Sequence, residues 1–229
     1  MLTDIFRGQF DITMVLIRVF CLLLCLTVHE VAHGFAAYKL GDSTAKDKGR
    51  LTLNPIPHID PVGGLLLLFT GFGWAKPVPV NARNFTRKIS MRNGMAITAF
   101  AGPLSNLIFG FITMFIWTLF VRFNIFGGLD SNLREIILLL LMVLTSMNIG
   151  LAVFNLLPIP PLDGSWILSA WLPDRLLNRY FQFERVGRIV LLALLFFPIN
   201  NPPLLRFLTF LMNYVRTFYL WVIGLLPFM

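Results

Sequence analysis

Two histidines and a glutamate in the first apolar stretch of the chain have the spacing of a hydrolytic metal site. Residues 27–34 read Thr-Val-His-Glu-Val-Ala-His-Gly, so His29 and His33 lie four residues apart and Glu30 lies between them. Residues four apart share one face of a helix, and both imidazoles can therefore reach one ion. The pair suits a tetrahedral Zn²⁺ with ligands at about 2.0–2.1 Å. Glu30 would then act as the general base towards water.

His-Glu-x-x-His also arises by chance in soluble helices. The residues around the motif therefore decide whether it marks a metal site. Here the motif lies within an apolar run that starts near Ile12. A charged residue at mid-membrane depth costs about 2.5–3.5 kcal/mol on insertion scales. A bound metal would offset that cost, because structural Zn²⁺ contributes about 10–16 kcal/mol in small peptides. We therefore favour a metal site.

Composition indicates a polytopic membrane protein. The chain has 229 residues, of which 57% are hydrophobic and only 13% are charged, whereas soluble domains are about 25% charged. The length predicts one membrane domain, residues 1–229, without a separate soluble module. The formal net charge of +8 indicates contact with a lipid bilayer and a defined topology, and the bases do not form the tract that a nucleic acid would need.

The apolar runs predict the order of the helices. Helix one spans residues 12–40 and is too long, and too rich in candidate ligands, to be a signal peptide. Helix two spans 94–121, helix three spans 135–157, and residues 186–229 hold the C-terminal helices. Because the apolar run 189–197 is short for a span, five or six transmembrane helices are predicted.

The segment 42–93 differs in composition from the apolar runs on either side of it. Its excess of lysine and arginine over acidic residues predicts a cytoplasmic position. Residues 50–54 and 74–81 alternate like strands, and Pro77 and Pro79 make one edge of the second strand unable to pair. Residues 61–73 are apolar but too short to span, which predicts a re-entrant segment. The predicted fold is thus all-α and polytopic, with a small membrane-associated β element between the first two long helices.

Topology brings a third ligand candidate to the histidine pair. If residues 42–93 are cytoplasmic, helices one and three both end at the inner face of the membrane, and Asp163 follows helix three at the depth of His33. A catalytic zinc site needs three protein ligands and one open position for water. The alternative for Asp163 is that it only caps the turn at Gly164.

Three further polar residues are candidates for the site. Asn106 and Asn155 are amides in apolar helices, and each either makes an interhelical hydrogen bond or binds the substrate peptide or oxyanion. A structural role is favoured for His58, because Pro57 and Pro61 make its turn rigid; a gate or an additional ligand is the alternative. Direct ligation by His58 would occupy the position that water needs.

Together these motifs resemble the site-2 proteases, the family of intramembrane zinc metalloproteases, and in particular its compact prokaryotic members without PDZ or CBS modules. The resemblance rests on residues 29–33, 49–55, 58–61, Gly102-Pro103-x-x-Asn106, and Asn155-x-x-Pro158 leading to Leu162-Asp163-Gly164. One departure is Ser165, which stands where the family often has a second glycine.

The resemblance implies one zinc per chain, held by His29, His33 and Asp163, with Glu30 activating the water. It implies hydrolysis of a peptide bond within or near the transmembrane helix of a single-pass protein, as in regulated intramembrane proteolysis or the clearance of signal-peptide remnants. It also implies a prokaryotic inner-membrane protein, and the charge bias of residues 42–93 predicts that its active site faces the cytoplasm. Two rival functions are a membrane metal-binding or transport protein and an inactive relative that binds membrane proteins. Transport predicts further polar residues lining the helices towards the far side of the membrane, and helix two has few. The intact Glu30 argues against an inactive relative.

Overall fold

The structure is a computed structural model that describes residues 12–64, 74–125, 127–196 and 203–226. Its helices, in chain order, are α1 (Ile12–Lys39), α2 (Thr44–Asp47), α3 (Met91–Arg122), α4 (Ser131–Asn155), α5 (Asp163–Ser169), α6 (Asp174–Gln182), α7 (Glu184–Phe196) and α8 (Pro203–Gly224). Short 3-10 turns occupy Ile56–His58 and Ala82–Asn84. The fold is therefore mostly helical, as its composition predicts.

Three helices are long and apolar enough to cross a membrane. They are α1, α3 and α4, with 28, 32 and 25 residues. At a rise of 1.5 Å per residue they extend about 38–48 Å, which exceeds the bilayer core of about 30 Å. These helices identify a membrane protein. The predicted total of five or six spans is not confirmed within the described residues.

Side-chain caps set the starts of α3 and α4. The Ser90 hydroxyl accepts the backbone N–H of Asn93, so α3 begins at Met91 and not at residue 94. The Asp130 carboxylate accepts the backbone N–H groups of Asn132 and Leu133, so α4 begins at Ser131 and not at 135. Such caps satisfy the free N–H groups of a first helical turn. Local polar chemistry therefore extends both helices beyond their apolar runs.

Helix α3 lies at the centre of the packing and contacts α1, α4, α5 and α8. On one side, Cys21 and Cys25 of α1 are completely buried and pack with Leu144 of α4. On the other side, Tyr219 of α8 is buried, and its hydroxyl donates to the backbone carbonyl of Leu107 at 2.7 Å. The two cysteines are free thiols in the core.

The predicted β element is not confirmed. The described residues contain one isolated antiparallel bridge, between Ile59 and Ala75, and no strand. Pro77 and Pro79 have no N–H to donate to a ladder, and the N–H of Val78 between them donates to the Glu30 carboxylate at 2.8 Å. The main chain of this segment is therefore tied to α1 at Val78, and at Lys76 it donates to the His58 carbonyl at 2.8 Å without forming a strand. Residues 65–73 of the predicted re-entrant segment lie outside the described residues.

Candidate active site

The two histidines of α1 face one point. The distance between His29 Nε2 and His33 Nε2 is 3.0 Å, as expected for imidazoles one helical turn apart on the same face. Both side chains lie inside the protein, with exposed fractions of 6% and 12%. The pair is therefore directed into the helix packing and not towards lipid.

Asp163 reaches the same point from α5. Its Oδ2 lies 3.1 Å from His29 Nε2 and 3.4 Å from His33 Nε2. Gly164 makes this approach possible, because a Cβ at that position would collide with the backbone carbonyls of Leu156 and Leu157. The chain thus turns tightly after α4 and begins α5 at the ligand.

Ser165, the departure from the usual family pattern, is accommodated in the first turn of α5. Its side chain is completely buried, and its hydroxyl donates to the Leu162 carbonyl at 2.6 Å. The serine hydroxyl is thus satisfied locally and leaves the turn at Asp163 intact.

The geometry of the three ligand atoms fits a zinc ion. A tetrahedral ion with bonds of about 2.0–2.1 Å holds its ligand atoms about 3.3 Å apart, and here the three separations are 3.0, 3.1 and 3.4 Å. Oδ2 of Asp163 is buried without a hydrogen-bond partner. Two imidazole nitrogens and an unpaired carboxylate oxygen that converge in this way are a suitable donor set for zinc.

Charge at the site also favours a metal ligand. In the metal-free site, burial raises the pKa of the Asp163 carboxyl, but hydrogen bonds and charge from the His29 and His33 rings, when these hold a proton at Nε2, lower it by more, to about 2. Asp163 is therefore a carboxylate at neutral pH. Metal binding requires this deprotonated form.

The other nitrogen of each ring has its own partner. His29 Nδ1 lies 2.6 Å from Asn106 Oδ1, and His33 Nδ1 lies 2.7 Å from the Thr98 carbonyl oxygen. Because both partners are acceptors, we assign the proton of each ring to Nδ1, which leaves the Nε2 lone pairs facing the metal position. This is the usual outer shell of a metal-binding histidine.

Gly102 of α3 lies directly against the two rings. A Cβ at this position would come within 2.5 Å of His33 Nε2 and 2.7 Å of His29 Cε1. Pro103 follows inside the helix and cannot donate to the Ala99 carbonyl. The Gly-Pro pair therefore lets the α3 backbone approach the site closely.

Glu30 lies beside the ligands and is held from the segment before α3. Its Oε2 accepts the backbone N–H of Val78 at 2.8 Å. This hydrogen bond uses one carboxylate oxygen and fixes the side chain, and the second oxygen retains its capacity to accept a proton. No sequence pattern indicates this contact, since it is made by a backbone group.

The three lower-ranked candidates have different surroundings. Asn106 is completely buried behind His29, which favours the hydrogen-bonding alternative. The Asn155 side chain donates to the Leu151 carbonyl of its own helix at 2.9 Å. His58 Nε2 lies 3.0 Å from the Thr52 carbonyl. Among the described residues, His58 does not join the cluster of candidate metal ligands formed by His29, His33 and Asp163.

Arg92 at the start of α3 supports the ligand helix from its far end. Its guanidinium donates to the carbonyls of Ser169 and Leu172 and pairs with Asp174 at 3.0 Å. These contacts hold the C-terminal end of α5, whose first residue is Asp163. The partners are distant in sequence, and no local pattern predicts them.

Comparison with known proteins identifies the family of the chain. The family model described as peptidase family M50 matches residues 130–198. YwhC of Bacillus subtilis, named as a candidate zinc metalloprotease, is 40% identical over 185 residues, which cover 80% of this chain and 81% of YwhC. Rip2 of Mycolicibacterium smegmatis, with a name of the same kind, is 25% identical over 187 residues, or 78% of this chain and 66% of that protein.

A further relative is Rip2 of Mycobacterium tuberculosis (Erdman), also named as a candidate zinc metalloprotease. It is 29% identical over 174 residues, which cover 74% of this chain and 63% of that protein. No solved structure matches the chain at the same level of significance. Taken with the three apolar helices, these matches show that the chain belongs to peptidase family M50, the site-2 protease family of membrane zinc metalloproteases.

Proposed function

We propose that this enzyme hydrolyses a peptide bond within or near the transmembrane helix of a single-pass membrane protein. His29, His33 and Asp163 hold one zinc ion, and Glu30 is the general base. The observation that carries the proposal is the convergence of three ligand atoms, 3.0–3.4 Å apart, two of them on α1, a helix that is long and apolar enough to cross the membrane. A hydrolytic site on such a helix suits a substrate bond that lies in or near the bilayer.

The roles of the side chains follow from their contacts. Bound zinc supplies a Lewis acid that polarises the scissile carbonyl and activates water. Asn106 and the Thr98 carbonyl keep the His29 and His33 rings in one tautomer and orientation. Glu30, fixed through Val78, takes a proton from the attacking water and later delivers it to the leaving amine.

The site faces the cytoplasm in our proposal, in a prokaryotic inner membrane. The ends of α1 and α4 and the start of α3 meet at the site, because His33, Thr98 and Asp163 are in contact there. The loops at this end carry most of the lysine and arginine residues of the chain, including residues 39–50 and 83–92. The positive-inside rule assigns such loops to the cytoplasm.

We further propose that α8 is an additional span, which raises the total towards five or six. Its 22 residues extend about 33 Å, close to the thickness of the bilayer core. Its buried face, with Tyr219 and Ile223, packs on α3 and α4. The rest of α8 carries exposed Phe and Trp side chains that suit lipid, namely Phe207, Phe210, Phe218 and Trp221.

A helical substrate must be unwound before its peptide bond can react. Breaking backbone hydrogen bonds in lipid costs several kcal/mol for each unpaired group, so the enzyme has to supply replacement partners. We propose that residues 50–54 pair with the extended substrate as a β element. Leu53 in this stretch is 66% exposed, which leaves its backbone accessible to a substrate strand.

A proline scan tests this placement of the substrate. Leu53→Pro removes one donor and is expected to lower cleavage while zinc remains bound. Leu53→Ala, which keeps the backbone N–H, is the matched control. Cleavage by Leu53→Pro at the rate of Leu53→Ala would place the substrate elsewhere.

The decisive experiment compares wild type, Glu30→Gln and His33→Ala on a panel of single-pass substrates, with zinc content measured in parallel. We expect Glu30→Gln to retain zinc and lose turnover, and His33→Ala to lose both. Cleavage by purified Glu30→Gln would reject Glu30 as the base. Zinc flux in proteoliposomes without cleavage by the wild type would favour a transporter, and substrate capture alone would favour an inactive relative.

A further inference from the structure

We propose that Asn106 and Asn148 form a positioning pair that fixes the His29 ring, and so set the affinity of the site for zinc. This inference rests on the proposed zinc site. The two buried amides would hold the His29 imidazole at the angle at which its Nε2 lone pair meets the metal.

The hydrogen bonds of Asn106 leave it no other role. Its Oδ1 faces His29 Nδ1 at 2.6 Å, and its Nδ2 faces the Cys25 carbonyl at 3.2 Å and Asn148 Oδ1 at 2.7 Å. Both amide hydrogens thus have acceptors, and these acceptors fix which end of the amide points to the ring. The side chain is completely buried. Asn106 therefore has no free donor for a substrate carbonyl or an oxyanion.

Asn148 holds Asn106 in turn. It is completely buried, accepts from Asn106 through Oδ1, and donates through Nδ2 to the Leu144 carbonyl of its own helix at 2.9 Å. The result is a fully satisfied chain of hydrogen bonds from α4 through α3 to the ring on α1. Such buried networks impose one geometry, because any other arrangement leaves a polar group unpaired.

Magnitude distinguishes this role from ordinary helix packing. An interhelical hydrogen bond in a membrane protein shifts an equilibrium by only about threefold on average. A partner that orients a metal-binding histidine typically changes metal affinity by about 10- to 100-fold. The chain offers an internal comparison, since Thr113 and Thr145 join the same two helices through their hydroxyls at 2.9 Å. That pair is buried as well, but it has no contact with a ligand residue within the described structure.

The experiment measures zinc affinity of the detergent-solubilised full chain by competition with a chromophoric chelator, and records the visible absorption of the Co²⁺-loaded protein. Asn106→Leu keeps the volume of the side chain and removes the acceptor, and we expect zinc affinity to fall about 10- to 100-fold and the Co²⁺ bands to shift. Asn106→Asp restores the acceptor for His29 Nδ1 but lacks the Nδ2 donor to Asn148 and Cys25, so it is expected to recover only part of the affinity. Thr113→Val, the matched control, is expected to stay within about threefold of wild type.

A second variant covers the case in which Asn106→Leu does not fold. Asn148→Leu leaves Asn106 in place but frees its amide, and it is expected to weaken zinc by more than Thr113→Val does. Wild-type affinity and unshifted Co²⁺ bands in Asn106→Leu, or in Asn148→Leu if only that variant folds, would overturn the inference alone. If His33→Ala instead retained the zinc content of wild type, the proposed site itself would be wrong.

Discussion

Gly102 provides the sharpest test of how α3 packs against the proposed zinc ligands. In Gly102→Ala the new methyl group would lie 2.5 Å from both Cε1 and Nε2 of His33 and 2.7 Å from His29 Cε1. The rings cannot retreat in the liganded geometry, because each Nδ1 is bound on its other side, at Asn106 and at the Thr98 carbonyl. The substitution therefore strains the zinc-binding arrangement itself.

The size of the effect follows from the cost of overpacking, about 1–3 kcal/mol for one extra methyl group. When that strain is confined to the zinc-bound state, zinc affinity falls by about 5- to 150-fold, since about 1.4 kcal/mol corresponds to tenfold. Without zinc the rings can turn away only by giving up the Nδ1 hydrogen bonds to Asn106 and to the Thr98 carbonyl, worth about 0.5–1.5 kcal/mol each. Alanine directly before Pro103 also meets the proline ring, so the strain that persists without zinc is expected to lower the stability of the apo protein.

The assay is a zinc competition titration in detergent, together with thermal unfolding in the presence of a chelator. Gly150→Ala on α4 is the control, because a Cβ there meets only the flexible end of Met212, at 3.4 Å. We expect the control to bind zinc like wild type. Wild-type zinc affinity in Gly102→Ala would refute the close approach of α3 to the ligand rings.

Three further predictions concern the supports of the site. Arg92→Ala is expected to lower the free energy of unfolding, measured by chemical denaturation, by about 1–3 kcal/mol, because the end of α5 loses charge-assisted hydrogen bonds. Asp174→Asn, the control, changes a side chain that is 93% exposed and should leave the free energy of unfolding unchanged. His58→Ala should retain zinc in a metal assay and lose stability, and zinc loss would make His58 a ligand. Burial raises the pKa of the Asp42 carboxyl, but hydrogen bonds from the neighbouring backbone and side chains lower it by more. Its contribution to stability is thus complete above the unfolded pKa of about 3.9 and is lost as the pH falls through the lower folded pKa, so Asp42→Ala should flatten the loss of stability that sets in below about pH 4.

The sequence predicts the histidine pair of the site because local spacing encodes it. The interval of four residues between His29 and His33 places both rings on one helix face, and this is independent of what surrounds them. Topology adds Asp163, because the direction of each membrane crossing fixes which helix ends share a side. Helix type follows from the apolar runs, although the starts at Met91 and Ser131 depend on capping residues outside those runs.

Contacts made by backbone groups are not encoded in any residue type. The Thr98 carbonyl that holds His33 and the Val78 N–H that holds Glu30 belong to peptide units, which every residue has. The alternation of residues 74–81 predicts a strand, yet the only N–H between Pro77 and Pro79 is used by the glutamate. The motif Gly102-Pro103 was informative about family, but its physical reason, a backbone pressed against two rings, needs the assembled helices.

The position of the ligands along the chain bears on how the enzyme is made. His29 and Glu30 enter the membrane with α1 at the start of translation, whereas Asp163 emerges only after α4 has been synthesised. In the site proposed above, a nascent chain that ends before α5 holds only two of the three zinc ligands, His29 and His33. The complete ligand set, and with it the proposed activity, therefore arises only after Asp163 has been synthesised.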